Sequence, residues 1–240
     1  MRNATSGYSA GSAEQCGLRL PAKRFSACAF RLTKSPRLVK IGAGGRRPDG
    51  APAFDDMDFY VMRHGQTDWN VQGLFQGDTD VPLNRTGIAQ AEEAALSMTE
   101  GQADLIVCST LGRARQTADL VNRVLKCPVI YREELIERGF GEWEGKEIAP
   151  IRQDPFFAGG LLYNYNCPET PYGIEPMRVF CERIWRLLDE LREYYPDRKI
   201  LLVTHGGTIR GIHAYFTGVA EDGSVEKIMT KNCQLRQYSI

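Results

Sequence analysis

Two histidines and two arginines of this chain sit just past short apolar runs. Arg63 and His64 follow Phe59-Tyr60-Val61-Met62, Ser109 and Arg113 follow Leu105-Ile106-Val107-Cys108, and His205 follows the near-pure apolar stretch 199–204. Read as buried strands of an open α/β sheet, these runs bring their carboxyl ends to one crevice. One strand-end histidine by itself is more often a satisfied core or loop residue. Two of them beside two arginines point to a site.

The chemistry those side chains could do is narrow. Arginines that keep their charge, imidazoles and a helix N-terminus at Gly206-Gly207 make a pocket for a compact multivalent anion, with phosphate the obvious candidate. One imidazole must be neutral to act as a nucleophile, and nearby cations favour that by lowering its pKa. The other can stay protonated and bind oxygen. Covalent catalysis through a phosphohistidine is then chemically sensible. A leaving alkoxide needs a proton, and the segment after the third apolar run offers Glu133, Glu134, Glu137, Glu142 and Glu144, among which spacing does not choose. His213 lies about two helical turns after His205, but no Asp or Cys stands at ligand spacing to make a metal site with it.

These residues need a scaffold, and the pattern around them supplies one. After the first strand comes a loop containing Gly73 and Gly77, then Asn84-Arg85-Thr86-Gly87 opens a helix to about Met98, with Ile88, Ala91, Ala95 and Leu96 spaced for one face. Strand 105–108 leads to a helix from Gly112 to Val124, and Pro128-Val129-Ile130-Tyr131 reads as a third short strand. Residues 132–172 are irregular and aromatic, the signature of a lid or binding loop. From Glu175 to Tyr195, Val179, Ile184, Leu187, Leu188 and Leu191 recur at helical spacing, and the helix opened by His205-Gly206-Gly207 runs to about Phe216. The alternation predicts an α/β three-layer sandwich, with a mostly parallel central sheet and helices on both faces.

Composition limits the classes. The 30 basic side chains balance the 30 acidic ones, which gives no reason to expect nucleic acid as a partner. No apolar run approaches the length of a membrane span, and the start lacks the apolar core of a secretory signal, so no membrane is expected and a cytoplasmic location is. Residues 1–53 carry ten Lys or Arg against only Glu14 and Asp49. Residues 1–55 therefore read as a basic, disordered N-terminal extension, with a transit peptide or an over-long reading frame as the other readings, and the folded domain as 56–240, starting near Met57. The seven cysteines have no CxxC pair or regular spacing, so neither a disulfide framework nor a zinc site is indicated.

From Asp58 to Tyr238 the chain resembles the histidine phosphatase superfamily, also called phosphoglycerate mutase-like. Four blocks in order carry the resemblance: Arg63-His64-Gly65-Gln66-Thr67-Asp68-Trp69-Asn70 with Gln76-Gly77, Ser109 through Ala118, Leu135-Ile136-Glu137 with 140–145, and Val203-Thr204-His205-Gly206-Gly207. The resemblance implies His64 as nucleophile, Glu137 as proton donor and later base, and Arg63, Arg113 and His205 on the equatorial phosphate oxygens. Asn70, Gln76, Gly77 and Gly206 would complete the substrate cradle. It implies neither cofactor nor metal, because fixed cations supply the charge a magnesium ion would bring. Pro176 stands where the family usually has a Ser after Glu175, which leaves the contacts of Glu175 open.

The expected reaction is hydrolysis of a small phosphorylated metabolite. Phosphoglycerate mutases of this family carry a longer, basic insert, whereas here no Lys or Arg lies between Arg152 and Arg178. The aromatic residues Phe156, Phe157, Tyr163, Tyr165 and Tyr172 suit an apolar or sugar-like leaving group, or simply pack the lid onto the domain. A mutase, a protein phosphatase docking an acidic partner through the basic tail, and a phosphate-binding module are the alternatives. The sequence leaves a homodimer open.

Overall fold

The computed structural model describes residues 58–239; the basic extension read at 1–55 and the start at Met57 lie outside them. Four strands run parallel: β1 (Asp58–Arg63), β2 (Leu105–Ser109), β3 (Val129–Arg132) and β4 (Ile200–Thr204). A fifth, β5 (Leu235–Ser239), pairs antiparallel with β1 and closes the order β3-β2-β4-β1-β5. No apolar run in the sequence marks β5, whose residues are Leu-Arg-Gln-Tyr-Ser, and an edge strand needs none.

Alternation along each buried strand sorts side chains to two faces. Phe59, Val61, Leu105, Val107, Ile200 and Leu202 pack on one side against α6 (Met177–Tyr194) and α7 (Gly206–Thr217). Met62, Ile106, Cys108, Leu201 and Val203 pack on the other against α2 (Arg85–Leu96) and α3 (Gly112–Leu125). The result is the expected three-layer sandwich. A smaller cluster of Phe75, Phe140, Trp143, Leu162 and Ile174 holds the segment between β3 and α6, which contains only short helices, α4 (Ile148–Ile151) and α5 (Pro155–Ala158), and single 3-10 turns. The five-residue α1 (Asp68–Gln72) precedes α2.

Two helix faces differ from expectation. On α2 the buried residues are Gly87, Ala91 and Ala95, while Ile88 and Leu96 are exposed. On α6, Val179 is exposed and Met177, Phe180 and Cys181 join the leucines inside. Gly87 on α2, and Met177, Phe180 and Cys181 on α6, are inside where spacing alone had placed Ile88, Leu96 and Val179.

Gly87 on α2 is required by a close approach of two backbone segments. A Cβ on Gly65 would lie 2.4 Å from the carbonyl oxygen of Gly87, and one on Gly87 would lie 2.1 Å from that of Gln66. Backbone meets backbone here, so neither position tolerates a side chain. Gly87→Ala is expected to cost about 2 kcal/mol or more, from the overpacking of a site with nothing flexible to yield. Urea unfolding of that variant checks it; an unchanged midpoint would refute the close approach.

Candidate active site

The strand order brings the predicted residues together. β4 lies between β1 and β2, and Arg63 pairs with Thr204, so His205 emerges between His64 and Ser109. The N–H of His64 donates to the carbonyl of Thr204 at 2.9 Å, tying the two strand ends. The His64 and His205 rings are 5.2 Å apart, centroid to centroid.

His64 is buried, and its Nδ1 lies 2.7 Å from the carbonyl oxygen of Gly65. A carbonyl only accepts, so Nδ1 carries the proton and Nε2 keeps its lone pair. Gly65 is itself fixed, because its N–H donates to Thr117 Oγ1 at 3.0 Å. Burial first, then Arg113 and Arg63, hold the His64 pKa well below 6.5. This is a neutral imidazole with one bare nitrogen, the state a nucleophile needs.

His205 departs from expectation. Arg113 donates from Nε to its Nδ1 at 3.2 Å, and its Nε2 lies 2.8 Å from Ser109 Oγ. Since Arg Nε is always a donor, Nδ1 of His205 must be unprotonated. Burial, then Arg113, His64 and Arg63, drive its pKa well below 6.5 as well. The expected protonated imidazole on a phosphate oxygen is therefore replaced by a neutral ring that holds Arg113 and Ser109. The sequence showed the cations but not that both rings would be enclosed among them.

The arginines are the charged part of the pocket. Arg113 has no exposed surface, and it donates from Nη1 to the carbonyl of Thr79 at 2.8 Å and from Nη2 to that of Gly77 at 2.7 Å. Arg63 donates from Nη1 to the Thr230 carbonyl at 2.9 Å, and its buried Nε has no partner. Burial lowers both pKa values, against the opposing pull of Glu137, but guanidinium keeps its charge. A first side-chain carbon on Gly206 would fall 3.6 Å from that free Nε and 4.0 Å from Glu137 Oε2. Glycine there keeps open a gap between a fixed cation and a carboxyl group.

Of the five glutamates, Glu137 is the one at this gap. Its Oε2 accepts the N–H of Gly207 at 2.8 Å, and its Oε1 those of Thr208 at 3.1 Å and Arg138 at 2.9 Å. Glu137 thus caps α7 in place of a side chain at the N-cap, where His205 makes no capping bond. Part of the helix N-terminus expected to face an anion is therefore occupied by the carboxyl group of Glu137. Glu134 is paired with Arg132, and Glu133 and Glu142 are exposed.

The cradle residues hold each other. Asn70 Oδ1 and the Thr67 hydroxyl exchange backbone bonds as a capping box on α1, and the Thr67 hydroxyl donates to Gln76 Oε1 at 3.0 Å. These contacts turn the carbonyl ends of Asn70 and Gln76 inward to protein and leave their amide N–H groups as donors. Asn232, which the sequence reading missed, donates to the His64 carbonyl at 2.8 Å and to Asn70 Oδ1 at 3.4 Å. No pattern marks it, since it reaches the site from a loop before β5.

Glu175 finds its contacts without the Ser expected at 176. It pairs with Arg183 at 2.8 Å, and Arg183 also donates to the carbonyls of Glu134, Ile136 and Glu137. The ion pair braces the turn that carries Glu137. The aromatic residues of the lid face one another: Phe157 contacts Phe75, Trp143 and Tyr163, Tyr172 lies on Trp143, and Tyr165 stacks on Trp185. They pack the lid. His213 meets Glu226 and Tyr238, and among the described residues no group of three or more His, Cys, Asp or Glu is placed to hold a metal. No described helix is long and apolar enough to cross a membrane.

Two histidines held neutral by the fold have a thermodynamic consequence. Below pH 6.5 the unfolded chain takes up protons that folded His64 and His205 refuse, so stability must fall as pH falls through that point. The expected slope approaches about 1.4 kcal/mol per pH unit for each histidine. Denaturant titrations between pH 7.5 and 5 check this, with a flatter profile expected for the His64→Asn, His205→Asn double variant. A wild-type profile as flat as the variant's would contradict the burial of the two rings.

Comparison with known proteins places the chain in a family. The model of the histidine phosphatase superfamily, branch 1, matches residues 59–240. The uncharacterized phosphatase PhoE of Bacillus subtilis is 33% identical over 161 residues, which are 67% of this chain and 76% of that protein. The metal-independent phosphoserine phosphatase of Arabidopsis thaliana is 30% identical over 176 residues, 70% of this chain and 72% of its own. A mycobacterial glucosyl-3-phosphoglycerate phosphatase, solved in complex with VO3, superposes with a TM-score of 0.68 at 29% identity, covering 75% of this chain and 90% of the other.

Proposed function

The chain belongs to branch 1 of the histidine phosphatase superfamily, and from that premise we propose that it hydrolyses small phosphate monoesters through a phosphohistidine on His64. One observation carries the reading: His64 is buried with its Nδ1 proton committed to Gly65, so that its bare Nε2 belongs to a pocket with two fixed guanidinium charges.

The substrate phosphate enters between Arg63 and Arg113, where the free Nε of Arg63 and the unshared N–H groups of Arg113 meet its equatorial oxygens. Their charge is in place before the reaction, which is what a loose phosphoryl-transfer transition state requires. The lone pair of His64 Nε2 attacks phosphorus as the bond to the leaving oxygen breaks, and Glu137 gives that oxygen a proton. Glu137, now a carboxylate, takes a proton from water, whose oxygen attacks the phosphohistidine. The P–N bond breaks, inorganic phosphate leaves, and His64 and Glu137 return to their starting states.

His205 acts through Arg113 by holding its Nε. Metal is unnecessary in this scheme, because Arg63 and Arg113 carry the charge that an ion would supply. The lid favours hydrolysis over isomerisation: it has no Lys or Arg from 153 to 177, so it offers no cation there to hold a second phosphate while the first exchanges.

His64→Ala is expected to lose turnover of small phosphate monoesters and the acid-labile, base-stable phosphoenzyme trapped by rapid quench. Retained phosphoenzyme in that variant would identify another nucleophile. Turnover is also expected to survive excess chelator; abolition restored by Mg²⁺ would overturn the metal-independent scheme.

A further inference from the structure

The turn that receives Arg113 is held from a second side. The carbonyls of Gly77 and Thr79 accept from Arg113, and the N–H groups of the same turn need acceptors elsewhere. Glu144 supplies them. Its Oε1 accepts the N–H of Asp78 at 3.3 Å and that of Phe140 at 2.8 Å, and its Oε2 accepts the N–H of Thr79 at 3.1 Å and the Thr79 hydroxyl. One carboxylate thus ties the 78–79 turn to the segment that carries Glu137.

We infer that Glu144 is the positioning residue for Arg113, clamping the Gly77–Thr79 turn so that its two carbonyls fix the guanidinium in the phosphate pocket. The inference rests on the phosphatase reading above.

Two further facts support it. Gly77 has φ +56, and a Cβ there would fall 1.9 Å from Glu144 Oε1, so glycine is required both by the backbone and by the carboxylate beside it. The four groups that meet Glu144 are all donors, so only an acceptor with no N–H of its own satisfies them together. Glutamine would turn an amide N–H toward the donors on one side and release that side of the turn. Glu144 is not the proton donor in this account, since its carboxyl group is engaged with the 78–79 turn, whereas Glu137 faces the gap at Gly206 across from Arg63 Nε.

The test compares Glu144→Gln with wild type on two esters, p-nitrophenyl phosphate and a simple alkyl phosphate, in the native and the Arg113→Lys backgrounds. The clamp predicts that kcat/KM falls by about 10- to 100-fold on both esters, as expected for misplaced charge. It also predicts that the loss shrinks to about two-fold once Arg113 is already altered, because the two residues act as one unit. An equal loss in both backgrounds would overturn the clamp, as would a loss confined to the alkyl ester, which would make Glu144 the acid. If wild type turns over neither ester, the phosphatase reading falls, and calorimetric titration with inorganic phosphate decides the clamp in the same cycle. Glu144→Gln must then weaken phosphate binding in the native background and leave it unchanged in Arg113→Lys. Equal weakening in both would overturn it.

Discussion

The structure is organised around two guanidinium groups without a carboxylate partner, Arg113 fully buried and Arg63 half-buried with its Nε enclosed. Among the described residues, neither Arg63 nor Arg113 makes an ion pair, and both lie under the carboxyl edge of the sheet. An unpaired buried charge is costly, so the surroundings supply neutral acceptors: the carbonyls of Gly77, Thr79 and Thr230, and Nδ1 of His205. What remains unsatisfied points to a ligand. A dianion placed between the arginines would complete the charge balance that the fold leaves open, which links the stability of the pocket to its affinity.

The same cations set the protonation of both histidines. Burial alone would favour neutral imidazole, and two nearby positive charges reinforce it. The rings then divide by hydrogen bonding. His64 donates a hydrogen bond from Nδ1 to a carbonyl and keeps Nε2 free, whereas His205 spends one nitrogen on Arg113 and the other on Ser109. Two identical side chains at equivalent strand ends so acquire different chemistry from their neighbours.

Much of this was legible in the chain. The apolar runs located four parallel strands, and the polar residues after three of them are the ones the strand order gathers. Strand β5 was not legible, because an edge strand with Arg236 and Gln237 carries no burial signal. Nor were the faces of α2 and α6, where Gly87 and Cys181 are buried while Ile88, Leu96 and Val179, which hydrophobic spacing placed inside, are exposed. At the site, residue types showed a phosphate pocket but not its internal wiring. The state of His205, the capping of α7 by Glu137 and the reach of Asn232 depend on which groups meet across the fold, and spacing along the chain does not encode them.

The central claim is that phosphorus passes through His64 on its way to water, and the stereochemical course of hydrolysis tests it directly. An isotopically chiral phosphate monoester would be hydrolysed in labelled water and the configuration of the released phosphate determined. Two in-line displacements, first by His64 and then by water, predict retention at phosphorus. Inversion would show a single displacement by water and contradict the covalent route.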